Sequence, residues 1–280
     1  MTMTAEPSGP PSVPPSGRPA ARRRPRQFAS LRCIGALMLR EMATTYGRSP
    51  GGYVWVLLEP IAGIALLTFA FSFLFHSPPI GVSFELFYAT GMLPFVFFTT
   101  VCNRVGGAIT FSRPLLLYPA VTFVDAIIAR FAVNILTEFL VFSIIITGIL
   151  TMFDTRAVLD LRYIGLSLFL AGTFALGVGC LNAYLFLRFH IWQVFWSVIS
   201  RPLFLISGAM FTYDHLPAQV QGVLWYNPLM HAVGTMRAGF YPSYDASYTS
   251  PLYVICVSLI LMVTGLVLLK WQIKYLLYEV

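Results

Sequence analysis

Residues 39–75 read LREMATTYGRSPGGYVWVLLEPIAGIALLTFAFSFLF. A charged, glycine-punctuated passage runs straight into apolar sequence, which then places Glu59 and Pro60 inside its own second turn. A helix needs about 20 mainly apolar residues to cross a hydrocarbon core, and a backbone in lipid must satisfy its own hydrogen bonds. The stretch 53–75 therefore predicts a transmembrane helix. Upstream, Phe28, Leu31, Gly35, Met38 and Met42 recur at helical spacing, with Arg32, Arg40 and Glu41 elsewhere around the wheel. That pattern predicts an amphipathic helix lying in the membrane interface. Gly47, Pro50, Gly51 and Gly52 break it, and there the chain turns from lying on the membrane to crossing it.

The same logic extends along the chain. Hydrophobic residues make up 58% and charged residues 10% of the 280, with a mean hydropathy of +0.76, far from a soluble domain. Apolar stretches at 53–75, 86–102, 126–153, 163–187, 191–213 and 251–269 predict six spans, hence an all-α integral membrane protein. Short loops rich in Lys and Arg stay in the cytoplasm. Eight basic residues precede the first span, and Arg104, Arg113, Arg188, Lys270 and Lys274 share their side, so both termini are expected in the cytoplasm. Three domains follow: a Pro- and Arg-rich tail at 1–27, expected to be disordered; the interfacial helix and elbow at 28–52; and the transmembrane domain at 53–280. Arg32 and Arg40-Glu41 interrupt the features of a signal peptide. Cys33, Cys102, Cys180 and Cys256 have no paired spacing and are expected to be packing residues.

Two loops stand out. The inner stretch 103–125 encloses the apolar run PLLLYP, of the kind that meets a partner or the membrane. The outer stretch 214–250 is too interrupted to span and too apolar for an ordinary loop, which predicts a pair of short re-entrant or interfacial helices, the second starting at Pro228.

Chemistry is sparse. No phosphate-cradling Gly-Lys-Ser/Thr loop is present, so ATP, if it drives this protein, binds another chain. His76, His190, His215 and His231 are scattered, and no HExxH or paired-Cys motif suggests a metal; a hydrogen-bonded structural role is expected for His231. The basic charge sits mainly in the tail, where it suits anionic lipid headgroups and not nucleic acid. Arg201 lies in the fifth span on a face with Ser197, Phe204, Gly208 and Phe211, where an Arg costs about 2.5–3.5 kcal/mol on insertion scales. Two explanations stand: an ion pair with Glu138 of the third span, or a wet conduit in which Arg201 meets an anionic cargo. Phe204, Phe211, Tyr213, Trp225, Tyr226, Phe240, Tyr241, Tyr244 and Tyr248 fit an interfacial aromatic belt or rings on which sugars slide. Glu59 sits about 9 Å into the first span, next to a Pro60 that cannot donate to the Val56 carbonyl; it latches the helix to a neighbour or to inner basic residues, or touches substrate.

In this order, LREMATTYGRSPGGYVWVLLEP, GMLPFVFFTT, YPAVTFVDAIIAR, RPLFLISGAMFTYDHLP and LWYNPLMHAVGTMRAGFYP resemble the membrane permeases of type-2 ATP-binding-cassette exporters over about residues 31–270. Capsular polysaccharide export permeases look nearest and O-antigen export permeases next. The resemblance implies a homodimer with two copies of a separate ATPase that carries ATP and Mg, no cofactor on this chain, and export of a lipid-linked, acidic polysaccharide across the bacterial inner membrane. It also implies partners in the periplasm and outer membrane. The stretch 106–120, with Arg113, Leu115, Leu116, Leu117 and Tyr118, would couple to the ATPase beside Arg40, Glu41, Tyr46 and Arg48. The first and fifth spans would line the channel, with Glu59, Arg201, Phe204, Phe211, Tyr213, Trp225 and Tyr226 along it. Permeases for O-antigen, teichoic acid or lipid share the pattern. A membrane-bound glycan-processing enzyme would need an acid-base cluster that the sequence lacks, and a secondary transporter would work without an ATPase chain.

Overall fold

The structure is a computed structural model and describes residues 29–45, 52–116 and 121–278. Among the described residues ten α-helices follow one another: α1 (Ala29–Thr45), α2 (Gly52–Ser72), α3 (Phe84–Gly106), α4 (Ala108–Leu116), α5 (Phe123–Met152), α6 (Leu161–Arg188), α7 (His190–Ile206), α8 (Ala218–Leu224), α9 (Pro228–Ala238) and α10 (Pro251–Tyr278). The described residues contain no strand. The tail 1–27, the elbow residues Tyr46, Gly47, Arg48, Pro50 and Gly51, and Leu117 and Tyr118 lie outside the described residues.

Polar caps set the helix starts. Ser83 accepts the Leu86 amide at α3, Asp160 caps α6, and Asn227 caps α9 with Pro228 at its first position. At α5, Thr122 and Asp125 form a reciprocal capping box, which satisfies amides that helix geometry leaves without partners.

Among the described residues five segments are long and apolar enough to cross a membrane: Val54–Ser72, Phe84–Leu116 (α3 continued by α4), Phe123–Met152, Leu161–Arg188 and Pro251–Gln272. The expected fifth span, 191–213, is only partly continuous. Its helix α7 has 17 residues and stops at Ile206. There the Ser207 amide turns back to the Phe204 carbonyl, and Gly208 takes φ +80°, a conformation suited to glycine. The expected inner loop 103–125 is also largely helical, since only Gly107 separates α3 from α4.

The core is built around α6, which contacts α3, α9 and α10. Backbones approach closely on α10: a Cβ on Gly177 would meet the Ser258 carbonyl oxygen at 2.5 Å, and one on Gly265 the Cys180 carbonyl carbon at 2.5 Å. Small residues allow such approach where lipid offers no hydrophobic drive for helix pairing. The short helix α9 is enclosed within this bundle, with Leu229 to Arg237 all buried. The rim is different: α7 buries none of its residues and α2 very few.

Candidate functional site

One junction lies where α1, α4 and α5 meet. Glu41 of α1 and Arg130 of α5 form a buried ion pair at 2.8 Å. The Ser30 hydroxyl donates to Asp125 in the α5 capping box, so both ends of α1 are fastened to one helix. Two guanidinium groups lie over the ring of Phe111 of α4, Arg130 4.3 Å and Arg40 5.0 Å from its centroid, a cation–π geometry. Of the apolar stripe of α1, Leu31 and Met42 are exposed and Gly35 and Met38 half-buried, while Leu37 and Glu41 beside it are buried. Burial pushes the thiol of the neighbouring Cys33 upward in pKa, and Asp125 adds to the effect. Of the residues expected at the ATPase, Arg40 and Glu41 are thus engaged in this junction, and Arg113, Leu115 and Leu116 are half-buried on α4.

The second feature is a cleft of about 870 Å³ between α4 and α7, floored by the ends of α3 and α6. On α7, His190, Gln193, Ser197, Ser200 and Arg201 face it, while Ile191, Val194, Phe195 and Val198 are exposed, so the helix is polar along its cleft side. Two indoles one turn apart fasten it: Trp192 donates to Asn182 Oδ1 at 3.0 Å and Trp196 to Asn103 Oδ1 at 2.8 Å. Further along, Phe204 packs edge-on against Phe95. Arg201 makes no ion pair with Glu138. Glu138 is buried on α5, with Arg104, Glu59 and Thr100 as its polar surroundings. Glu59 itself is exposed on α2.

At the opposite end, the aromatic residues mostly hold one another. Tyr213 stacks on Tyr248 with centroids 4.0 Å apart, the Trp225 indole donates to the Tyr248 carbonyl at 3.0 Å, and the Tyr244 and Tyr248 hydroxyls share a 2.9 Å hydrogen bond. Phe240, Tyr241 and Tyr244 are buried, whereas Tyr226 is 69% exposed. His231 Nε2 bonds the Trp225 carbonyl at 2.7 Å, and its Nδ1 accepts the Ser250 amide at 3.1 Å. Those two partners fix the neutral ring with its proton on Nε2, and burial lowers its pKa. Arg237 is 1% exposed. Its guanidinium donates to the carbonyls of Phe211 and Ala209 and lies 4.5 Å from the Phe87 ring centroid.

The family profile described as ABC-2 type transporter matches residues 32–241. The chain belongs to the ABC-2 type transporter family. Curated relatives of this ABC-2 chain include the polysialic acid transport protein KpsM of Escherichia coli, 29% identical over 85% of this chain and 92% of that protein. The capsule polysaccharide export inner-membrane protein CtrC of Neisseria meningitidis is 26% identical over 85% and 90%, and the capsule polysaccharide export inner-membrane protein BexB of Haemophilus influenzae is 28% identical over 85% and 90%.

Sequence reading of this ABC-2 chain missed the Glu41–Arg130 pair and the burial of Arg237. A basic residue inside the third span, Arg130, was a signal for the first, since a charge there requires a partner. Arg237 gave none, because it counts as an ordinary loop cation until α9 is seen to be enclosed.

Proposed function

We propose that this chain is the membrane permease subunit of an ATP-driven exporter, carrying a lipid-linked acidic capsular polysaccharide across the bacterial inner membrane. The observation that carries the reading is the match, over about nine-tenths of their lengths, to relatives named for polysialic acid transport and capsule polysaccharide export. The polar side of α7 supports an anionic cargo, since a span exposes polar groups and a guanidinium where water, protein or ligand receives them.

In this reading α7 is the fifth of six spans, α10 the sixth, and α8 and α9 are the re-entrant pair, with both termini in the cytoplasm. Two copies of the chain face each other through the rim helices α2 and α7 and enclose the conduit, placing Glu59, Arg201 and Tyr226 along it. Phe204, Phe211, Tyr213 and Trp225 shape its wall through packing. ATP and Mg sit on two separate ATPase chains. These press on α4 through Arg113, Leu115 and Leu116, extended by Leu117 and Tyr118, beside Arg40, Tyr46 and Arg48. Glu41 contributes by holding α1 in place. The push shifts α4 and α7 as packed units between two arrangements. Periplasmic and outer-membrane proteins take the polymer onward.

Export in cells tests this. Loss of the gene is expected to trap an acidic glycolipid in the cytoplasm, and Arg201→Ala to cut surface glycan severalfold while the ATPase still copurifies. Normal surface glycan in the deletion strain rejects the exporter reading; normal glycan in Arg201→Ala alone removes Arg201 from the conduit.

A further inference from the structure

The 870 Å³ cleft between α4 and α7 belongs to a single protomer, and its walls come from two elements of different purpose. One wall is α7, with His190, Gln193 and Arg201; the other is α4, with Thr110 and Arg113. Trp196 and Asn103, already joined by a hydrogen bond, fix the floor. Among the described residues that line it none is a carboxylate; Arg201 brings a guanidinium and His190 an imidazole to the α7 side, and Arg113 lies on the α4 side. The Ser197 and Ser200 hydroxyls donate to α7 carbonyls, which leaves their lone pairs available to hydroxyl donors. Its volume falls within the range of small-ligand sites, about 300–1,000 Å³. Guanidinium forks match planar carboxylates and phosphates, and the indole, amides and hydroxyls around them suit a ring bearing several hydroxyls.

From this combination we infer that the α4–α7 cleft is a binding site for an acidic sugar unit of the cargo, so that the helix pressed by the ATPase is itself a wall of the cargo site. The inference rests on the exporter reading and adds to it. Movement of α4 then changes the cleft directly, without a relay through the bundle, and an anionic sugar seated there reports its presence to the ATPase through the same helix. Arg40 and Arg130 both lie over the ring of Phe111, another residue of the α4 wall, which ties this wall to the α1–α5 junction.

Thiol protection in the complex with its ATPase tests the site. Single cysteines replace Thr110 on α4, Gln193 on α7, or Ile191 on the outward face of α7, in a background with Cys33 and Cys256 changed to Ser; Cys102 and Cys180 are buried. The complexes are placed in phosphatidylcholine nanodiscs and labelled with a maleimide, with oligosialic acid as the acidic probe and maltoheptaose as the neutral one. At about ten times its Kd, an occupying ligand leaves about a tenth of sites open and slows labelling about tenfold. The expected result is slowing at both 110 and 193 with oligosialic acid, none at 191, none with maltoheptaose, and loss of the effect in Arg201→Gln. Should that variant fail to assemble, Arg113→Gln reads the same loss.

Slowing at 193 without 110, slowing at 191, equal protection by maltoheptaose, or no protection overturns the cleft assignment. Protection in phosphatidylglycerol nanodiscs without sugar assigns the cleft to a lipid headgroup and likewise overturns it. A complex that exports its glycan in cells yet fails the labelling test keeps the exporter reading and loses only the cleft.

Discussion

Arg237 shows how a single side chain positions a whole corner of the molecule. It is buried without a carboxylate partner among the described residues, and two carbonyls just past the end of α7 plus the face of Phe87 stand in for one. Removing the guanidinium strands those carbonyls, at about 1–3 kcal/mol each. Arg237→Met is therefore expected to lower the thermal midpoint of the purified protein clearly, more than Arg156→Met at the exposed loop; equal midpoints would show the corner to be held otherwise. His231 makes a prediction about pH. Its ring is neutral, with Nδ1 already accepting the Ser250 amide, so a second proton there would face a donor. Because burial lowers its pKa in the folded state, the unfolded chain binds the proton first. The stability it contributes is complete above about 6.5, the ordinary imidazole value, and declines as pH falls through that value towards the folded one. Thermal midpoints measured from pH 8 to 5 are expected to fall in the native protein and to flatten in His231→Gln.

At the scale of elements, α1, α4 and α5 form one fastened unit and α7 another. The Glu41–Arg130 pair and the stacked Phe111 join the first, and the two indole hydrogen bonds tether the second. Breaking a buried ion pair by removing one partner costs about 3–5 kcal/mol because the other charge is left unpaired. Arg130→Gln is expected to loosen α1, seen as faster hydrogen exchange over 30–44, and to lower export per ATP hydrolysed severalfold in the reconstituted complex. Unchanged exchange over α1 would show that the pair does not hold it. The amphipathic pattern of α1 was legible in the sequence, but its docking side was not. In a membrane an apolar stripe has two acceptable neighbours, lipid and protein, so periodicity gives a face without saying which neighbour it meets. Here the polar Glu41 marks the protein side, since a carboxylate against protein finds a guanidinium.

The whole molecule is asymmetric in its burial. One side, around α6, α9, α10 and α3, is a packed bundle; the other exposes α2 and α7, with Glu59 and Arg201 on helices that bury little or nothing. The proposed homodimer predicts that Val198→Cys, on the outward face of α7, forms an intermolecular disulfide or crosslink in membranes, doubling the apparent mass on a non-reducing gel. An equally exposed position on α6, Phe169→Cys, is expected to stay monomeric under the same oxidant; the reverse pattern would move the interface away from α7.

The sequence by itself determined that the chain is helical, apolar enough to cross a membrane several times, and without a nucleotide loop of its own. Those properties follow from composition and from runs of residues adjacent in the chain, which a hydrocarbon solvent reads directly. Tertiary structure alone decided that α9 is enclosed, that Arg130 pairs with Glu41 and Arg201 does not pair with Glu138, and that most of the aromatics around α8 and α9 brace one another. Partners distant in sequence, such as Glu41 with Arg130 or Arg237 with Ala209, are chosen by how helices stack, and no local pattern encodes the distance between them.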